Sequence, residues 1–150
     1  MSGHKLLLIY CYLVRLILLI LPDTPQVMRL RGWLYLIFSP SSGQNFQVAS
    51  TAVLRGIENI YVGNDVYLGP NSYLLARSRI ILEDEVLIAM NVVIVDSNHG
   101  KSGAAGSYRF GRGKSGTVIL GKGCWVAANC VITAGQTIPP GEVVPACTRV

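Results

Sequence analysis

The chain has 150 residues, 51% of them hydrophobic and 14% charged, with a formal net charge of +5 and a mean hydropathy of +0.44. That length fits one domain with a continuous core. The modest positive charge suits a small anionic ligand or an acidic membrane surface, and with no nucleic-acid-binding motif it excludes sequence-specific nucleic-acid recognition.

Residues 6–21 (LLLIYCYLVRLILLIL) are almost wholly apolar, interrupted by Arg15 and stopped by Pro22. The run is shorter than a bilayer-spanning helix, its interior arginine is costly in lipid, and no small-x-small cleavage site follows it. It reads as a strongly hydrophobic helix packed on the rest of the chain or on a neighbouring subunit. Residues 24–38 continue with Met28, Leu30, Trp33, Leu34, Leu36, Ile37 and Phe38 around Arg29 and Arg31. Membrane-surface contact through residues 6–38 is the competing reading. Ser39-Pro40-Ser41-Ser42-Gly43 then forms a linker, so residues 1–43 make a hydrophobic helical N-terminal segment and residues 44–150 a second unit.

From about Ile57 a period of six takes over. Val62, Leu68 and Leu74 form one register, Leu82, Ile88 and Ile94 a second, and Leu120, Val126, Ile132, Ile138, Val144 and Val150 a third. The step from Leu74 to Leu82 is eight, which places a small bulge around 76–79. Six fits neither a helix nor an alternating strand. It marks a mainly β fold, a parallel β-helix in which each hexad forms one short side of a coil with its aliphatic residue inward. Asn, Asp and Gly between hexads suit corners that need unusual φ. Cys124 and Cys130 fall where this repeat favours small, partly buried side chains. With Cys11 and Cys147 they form no CxxC or zinc-like spacing, and read as small hydrophobes in a reducing, cytoplasmic setting.

The period breaks from Ser97 to Thr117, a stretch with glycines at 100, 103, 106, 111, 113 and 116, four cations (Lys101, Arg109, Arg112 and Lys114) and no acid. A loop this long inside a compact repeat is usually functional, although a solvated excursion looks the same.

The stretches VGNDVYLGPNSYLL, LEDEVLIAMNVVIVDSNHG and LGKGCWVAANCVITAGQTIPPGEVV resemble the bacterial hexapeptide-repeat acyltransferases, especially the sugar O-acetyltransferases of polysaccharide biosynthesis. The resemblance implies a left-handed parallel β-helix, an exception to the usual right-handed crossover. It also implies a homotrimer with active sites between subunits, and acetyl-CoA as co-substrate with no metal. One departure is at the C-terminus. Relatives continue with a Gly-x-Pro-Ala-Lys segment and a tail that helps cap the β-helix and approach the coenzyme, whereas this sequence stops at Val150 within a hexad series; either it is truncated or it is a shortened relative, and the two differ in the coenzyme affinity and stability to expect.

Transfer of an acetyl group to a sugar hydroxyl needs a base, dipoles for the oxyanion and a groove for the coenzyme arm. With His4 in a frayed N-terminus, His99 is the one neutral-pH base near the repeat. By residue type alone it is a surface-loop histidine; the resemblance makes it the general base. Asp96 would orient its ring or hold the acceptor, and Asn98 would bond the acceptor. An exposed corner aspartate and a turn asparagine would look alike. Trp125 points outward, since Val126 points in, and would wall the cleft or pack between subunits. The resemblance puts the pantetheine arm along Ala127, Ala128 and Asn129, with amide donors at Thr133, Ala134 and Gly135. The loop cations would grip anionic groups or stay solvated.

A zinc hydratase on the same scaffold needs about three histidines per metal and is discarded. A serine acetyltransferase would need a larger helical domain. An N-acetyltransferase acting on amino-sugar nucleotides and an inactive structural β-helix remain as alternatives to the O-acetyltransferase.

Overall fold

The aliphatic residues spaced six apart all turn to one interior in the computed structural model, which describes residues 3–102 and 106–150. Gly103 of the excursion lies outside the described residues. Leu68, Leu74, Ile88, Ile94, Leu120, Val126 and Ile132 are fully buried. A second inward row stands two residues earlier: Val66, Val86 and Cys124 at one level, Ser72, Val92 and Cys130 at another. Each short strand therefore points two residues in and one out, as the two-residue strand period requires.

Three parallel sheets result. The first face stacks Gln47–Val48, Tyr67–Leu68, Leu87–Ile88, Trp125–Val126 and Val143–Val144. The second stacks Val53–Arg55, Tyr73–Leu75, Val93–Val95 and Val131–Ile132. The third stacks Ile60–Val62, Ile80–Leu82, Val118–Leu120 and Thr137–Ile138. The chain visits the faces in that order on every coil. Gln47 pairs with Tyr67, Tyr67 with Leu87, Leu87 with Trp125 and Trp125 with Val143.

The corners explain both the sixes and the eights. Positive-φ residues stack there in columns: Asn45, Asp65, Glu85, Gly123 and Gly141 before the first face, and Asn71, Asn91, Asn129 and Cys147 after it. Asn and Asp tolerate this backbone at little cost. The corner between the second and third faces is longer. It holds the expected bulge at 76–79, a 3₁₀ turn at Ile57–Asn59 that hydrophobic spacing alone does not reveal, and the whole excursion. After the excursion this corner shortens, and the spacing returns to six.

Two helices close the N-terminal end. Helix α1 spans Gly3–Leu18 and α2 spans Pro25–Leu36, with Thr24 as the N-cap of α2 and Pro25 at its first position. They run antiparallel: Tyr10 donates to the Leu34 carbonyl and meets Phe38 edge-on at 4.8 Å, while the other ends meet through Arg31. Arg31 is 1% exposed and donates to Asp23 Oδ1 at 2.7 Å and to the carbonyls of Val48, Leu18 and Leu21. Gly32 lets α2 sit directly on the first coil, because a Cβ there would strike the Phe46 carbonyl. The Ser39–Gly43 linker also packs: Ser39 Oγ donates to the Ile60 carbonyl, and Ser41 Oγ accepts from the Val62 amide. The first strand of each face thus has a cover, and Cys11, Val14 and Tyr35 join the β-helix interior in one core. His4 is not frayed; it lies in α1 and bonds Glu58 Oε1 through Nδ1.

No described helix is long and apolar enough to cross a membrane.

Candidate active site

The excursion leaves the β-helix as an antiparallel ribbon, Ser97–Asn98 against Lys114–Ser115, with a further bridge between Ser102 and Ser107. Its legs touch at glycines: a Cβ on Gly111 would collide with the Gly100 carbonyl, and one on Gly100 with the carbonyl of Arg112. His99 follows the root of this ribbon and is exposed. Asn98 is exposed as well and pairs with Lys114 through the backbone.

Asp96 does not serve His99 in this arrangement. Its side chain is 0% exposed, and its carboxylate accepts from three consecutive amides of the coil beneath, Arg77 at 2.9 Å, Ser78 at 2.6 Å and Arg79 at 2.7 Å. Three of the carboxylate's roughly four acceptor sites are committed to the long corner, and burial closes the group off from solvent and from an incoming acceptor. Asp96 anchors the ribbon's point of departure, and its own carbonyl accepts from the Gly116 amide where the ribbon returns.

The next coil's corner lies directly beside that root. Gly135 donates to the Gly116 carbonyl at 3.2 Å, while Thr133 gives both its amide and its hydroxyl to the Val150 carbonyl. Of the three amides expected to meet a thioester, those of Thr133 and Gly135 are therefore occupied. The Ala134 amide has no partner among the described residues.

Trp125 lies elsewhere. It sits 44% exposed on the fourth of the five strands of the first face, in register with the half-exposed Leu87 and Val143. Ala127 and Asn129 follow at the corner after that face, with their amides bonded to the carbonyls of Val144 and Met90. Asn129 Oδ1 accepts from Asn91 Nδ2, so it also belongs to a corner ladder. In a three-sided coil the first face is opposite the corner between the second and third. One chain therefore holds the candidate residues apart as two candidate half-sites: His99, Asn98 and the 133–135 corner on one side, Trp125 and the 127–129 corner on the other.

The ribbon adds groups that composition alone did not single out. Tyr108 and Phe110 are exposed, with the Lys101 ammonium 5.5 Å from the Tyr108 ring and the Arg109 guanidinium 5.6 Å from the Phe110 ring. The visible cue was Tyr-Arg-Phe held between glycines. Arg112 and Lys114 are exposed, and no acid pairs with any of the four ribbon cations among the described residues. Cys124 and Cys11 are buried, which pushes their thiols up to about 11 and about 12, so neither is a nucleophile at neutral pH. No group of three or more potential metal-ligating side chains occurs among the described residues.

The profile of the hexapeptide repeat of succinyl-transferase matches residues 59–95 and 115–134. No curated protein matches the chain by sequence. Among solved structures, a hexapeptide-repeat acetyltransferase from Vibrio cholerae complexed with acetyl-CoA is 18% identical, with a TM-score of 0.74 over 99% of this chain and 79% of that one. A maltose O-acetyltransferase from Clostridium difficile is 22% identical, with a TM-score of 0.72 over 97% of this chain and 79% of that one. A mutant N-acyltransferase from Bacillus cereus, bound to dTDP and coenzyme A, is 19% identical, with a TM-score of 0.61 over 79% of this chain and 76% of that one. These likenesses establish the fold. The chain has the fold of these proteins, a left-handed parallel β-helix preceded by two N-terminal helices, with the hexapeptide repeat matched over residues 59–95 and 115–134.

Proposed function

We propose that this chain is an acetyl-CoA-dependent O-acetyltransferase acting on a hydroxyl of a sugar or glycan, with His99 as general base. The observation that carries the reading is the placement of an exposed histidine at the root of a cationic ribbon, beside a corner with an unbonded amide at Ala134. His99 takes the proton of the acceptor hydroxyl as its oxygen attacks the thioester carbonyl carbon. Ala134 N–H faces the developing oxyanion. Collapse of the intermediate breaks the carbon–sulfur bond, and the coenzyme thiolate recovers the proton from His99. Asn98 bonds the acceptor, and the ribbon cations meet the coenzyme phosphates.

The separation of the half-sites supports a homotrimer in which Trp125, Ala127, Ala128 and Asn129 of one copy face His99 of its neighbour. Acetyl-CoA-bound and coenzyme-A-bound proteins among the fold neighbours support the choice of donor, and the maltose enzyme supports a sugar acceptor. Transfer to the amine of an amino-sugar nucleotide would use the same base, and the Bacillus cereus N-acyltransferase is the neighbour that favours it.

Calorimetric titration of acetyl-CoA into the folded protein tests the donor, followed by a screen of sugars and amino-sugar nucleotides for coenzyme release. Saturable binding with turnover on a hydroxyl acceptor is the expected outcome. Turnover on amino sugars alone would select N-transfer, and no binding by a well-folded sample would leave a structural β-helix.

A further inference from the structure

Helix α1 is apolar on every side, but only one side has a partner. Leu7, Cys11, Val14 and Leu18 form the stripe packed on the core. On the other side Leu6, Ile9, Leu13, Leu16 and Ile17 are exposed, and Ile20, just past the helix end, is 87% exposed. A helix with this all-round character belongs between two apolar phases, not between a core and water. Helix α2 extends the same character with the exposed Leu30, Trp33 and Ile37. Beside it opens a groove of about 810 Å³, lined by Trp33, Leu36, Ile37 and Phe46, with Arg29 also on its wall.

Charge decides what covers this face. Lys5, Arg15 and Arg29 are the cations of the two helices that are not buried. Asp23 is the one acid between residues 3 and 38, and it is engaged by Arg31 and by the amide and hydroxyl of Ser50. Stacking a second copy on the face symmetrically would bring like charges together with no acid to meet them. An anionic bilayer supplies both an apolar phase and phosphates. Cations beside exposed aliphatics, together with the exposed Trp33 and Tyr12, form the usual pattern of a helix lying in the lipid interface. We infer that the α1–α2 hairpin docks on an anionic phospholipid surface, its exposed side chains entering the headgroup region and the α2 groove accepting part of a lipid chain. This lies outside the acyl-transfer reading and does not depend on it.

The test is flotation of the full chain with vesicles of equal parts phosphatidylcholine and phosphatidylglycerol, and with phosphatidylcholine alone. The inference expects flotation with the mixed vesicles, weakened by high sodium chloride. Arg29→Gln should lower the partition coefficient about fivefold, as one juxtamembrane cation is lost. Leu13→Glu and Ile17→Glu, exposed in the native fold and checked by circular dichroism, should abolish flotation. Three results would overturn it: no flotation of the wild-type chain, equal flotation with neutral vesicles, or loss of an oligomer on Ile17→Glu in sedimentation velocity without lipid. The last would assign the face to contact between copies.

Discussion

Asp96 spends its carboxylate on the amides of Arg77, Ser78 and Arg79, so replacing it should unsettle the corner and not remove a chemical group. Asp96→Asn puts an amide nitrogen where N–H groups already converge and should cost about 2–3 kcal/mol of stability, the worth of lost charge-assisted hydrogen bonds. Thermal unfolding checks this; unchanged stability with a collapsed kcat would return Asp96 to the chemistry. The thiols give a second expectation. Cys11, Cys124 and Cys130 are buried, Cys147 is exposed, and burial holds Cys11 near 12 and Cys124 near 11. Iodoacetamide at pH 8 should therefore add one group per native chain and four after denaturation, counted by mass. Because folding raises these two pKa values, their contribution is intact below the ordinary thiol value of 9.0. It then falls away as the pH climbs toward 11–12, so stability should decline across that window. Cys124 could be placed from the sequence because it precedes the outward Trp125 and inward Val126 in a strand. The burial of Asp96 and Arg31 could not, since each depends on partners that are remote along the chain and mostly backbone atoms.

The ribbon and the helical hairpin are elements the sequence outlines but does not resolve. A break in the six-residue period locates the excursion, yet nothing local says that its legs pair, because pairing rests on glycines meeting across it at 100, 111 and 113. Gly111→Ala should push the legs apart and displace His99. Misplacing a catalytic group by about an ångström costs on the order of 10²-fold in rate. The melting temperature should hardly move, since the ribbon lies outside the core. In the hairpin, the apolar pattern predicts α1 but hides Arg31 among exposed-looking cations; the stripe Met28, Arg31, Gly32 and Tyr35 is the buried one. Arg31→Met removes the tie between both helices and the Val48 carbonyl, and takes a donor from the carbonyls of Val48, Leu18 and Leu21, of which Leu18 keeps the Leu21 amide. We expect a loss of about 2–3 kcal/mol, measured by urea unfolding, because charge-assisted hydrogen bonds to backbone carbonyls are lost while Asp23 keeps solvent and Ser50 as partners.

On the scale of the molecule, the six-residue repeat was enough to predict coil, faces and interior, because packing inside a β-helix is set by one residue type at one spacing. The candidate site was less accessible, because the residues proposed for it occupy opposite sides of the coil and no pattern within one chain joins them. If sites are shared between copies, two disabled chains should rescue each other. Co-expressing His99→Ala with Ala128→Trp should restore about a quarter of the wild-type rate, since random assembly pairs an intact histidine with an intact coenzyme wall at that frequency. Neither variant should turn over alone, and mixing without rescue would place the whole site on one chain.

The central claim is that His99 carries the proton in acyl transfer. Its most direct test is the initial rate of coenzyme release from acetyl-CoA, on the best sugar acceptor, for the wild-type chain and His99→Ala. We expect a fall in kcat on the order of 10²–10⁴-fold with acetyl-CoA binding and the melting temperature preserved. An unchanged kcat in the folded variant would contradict it.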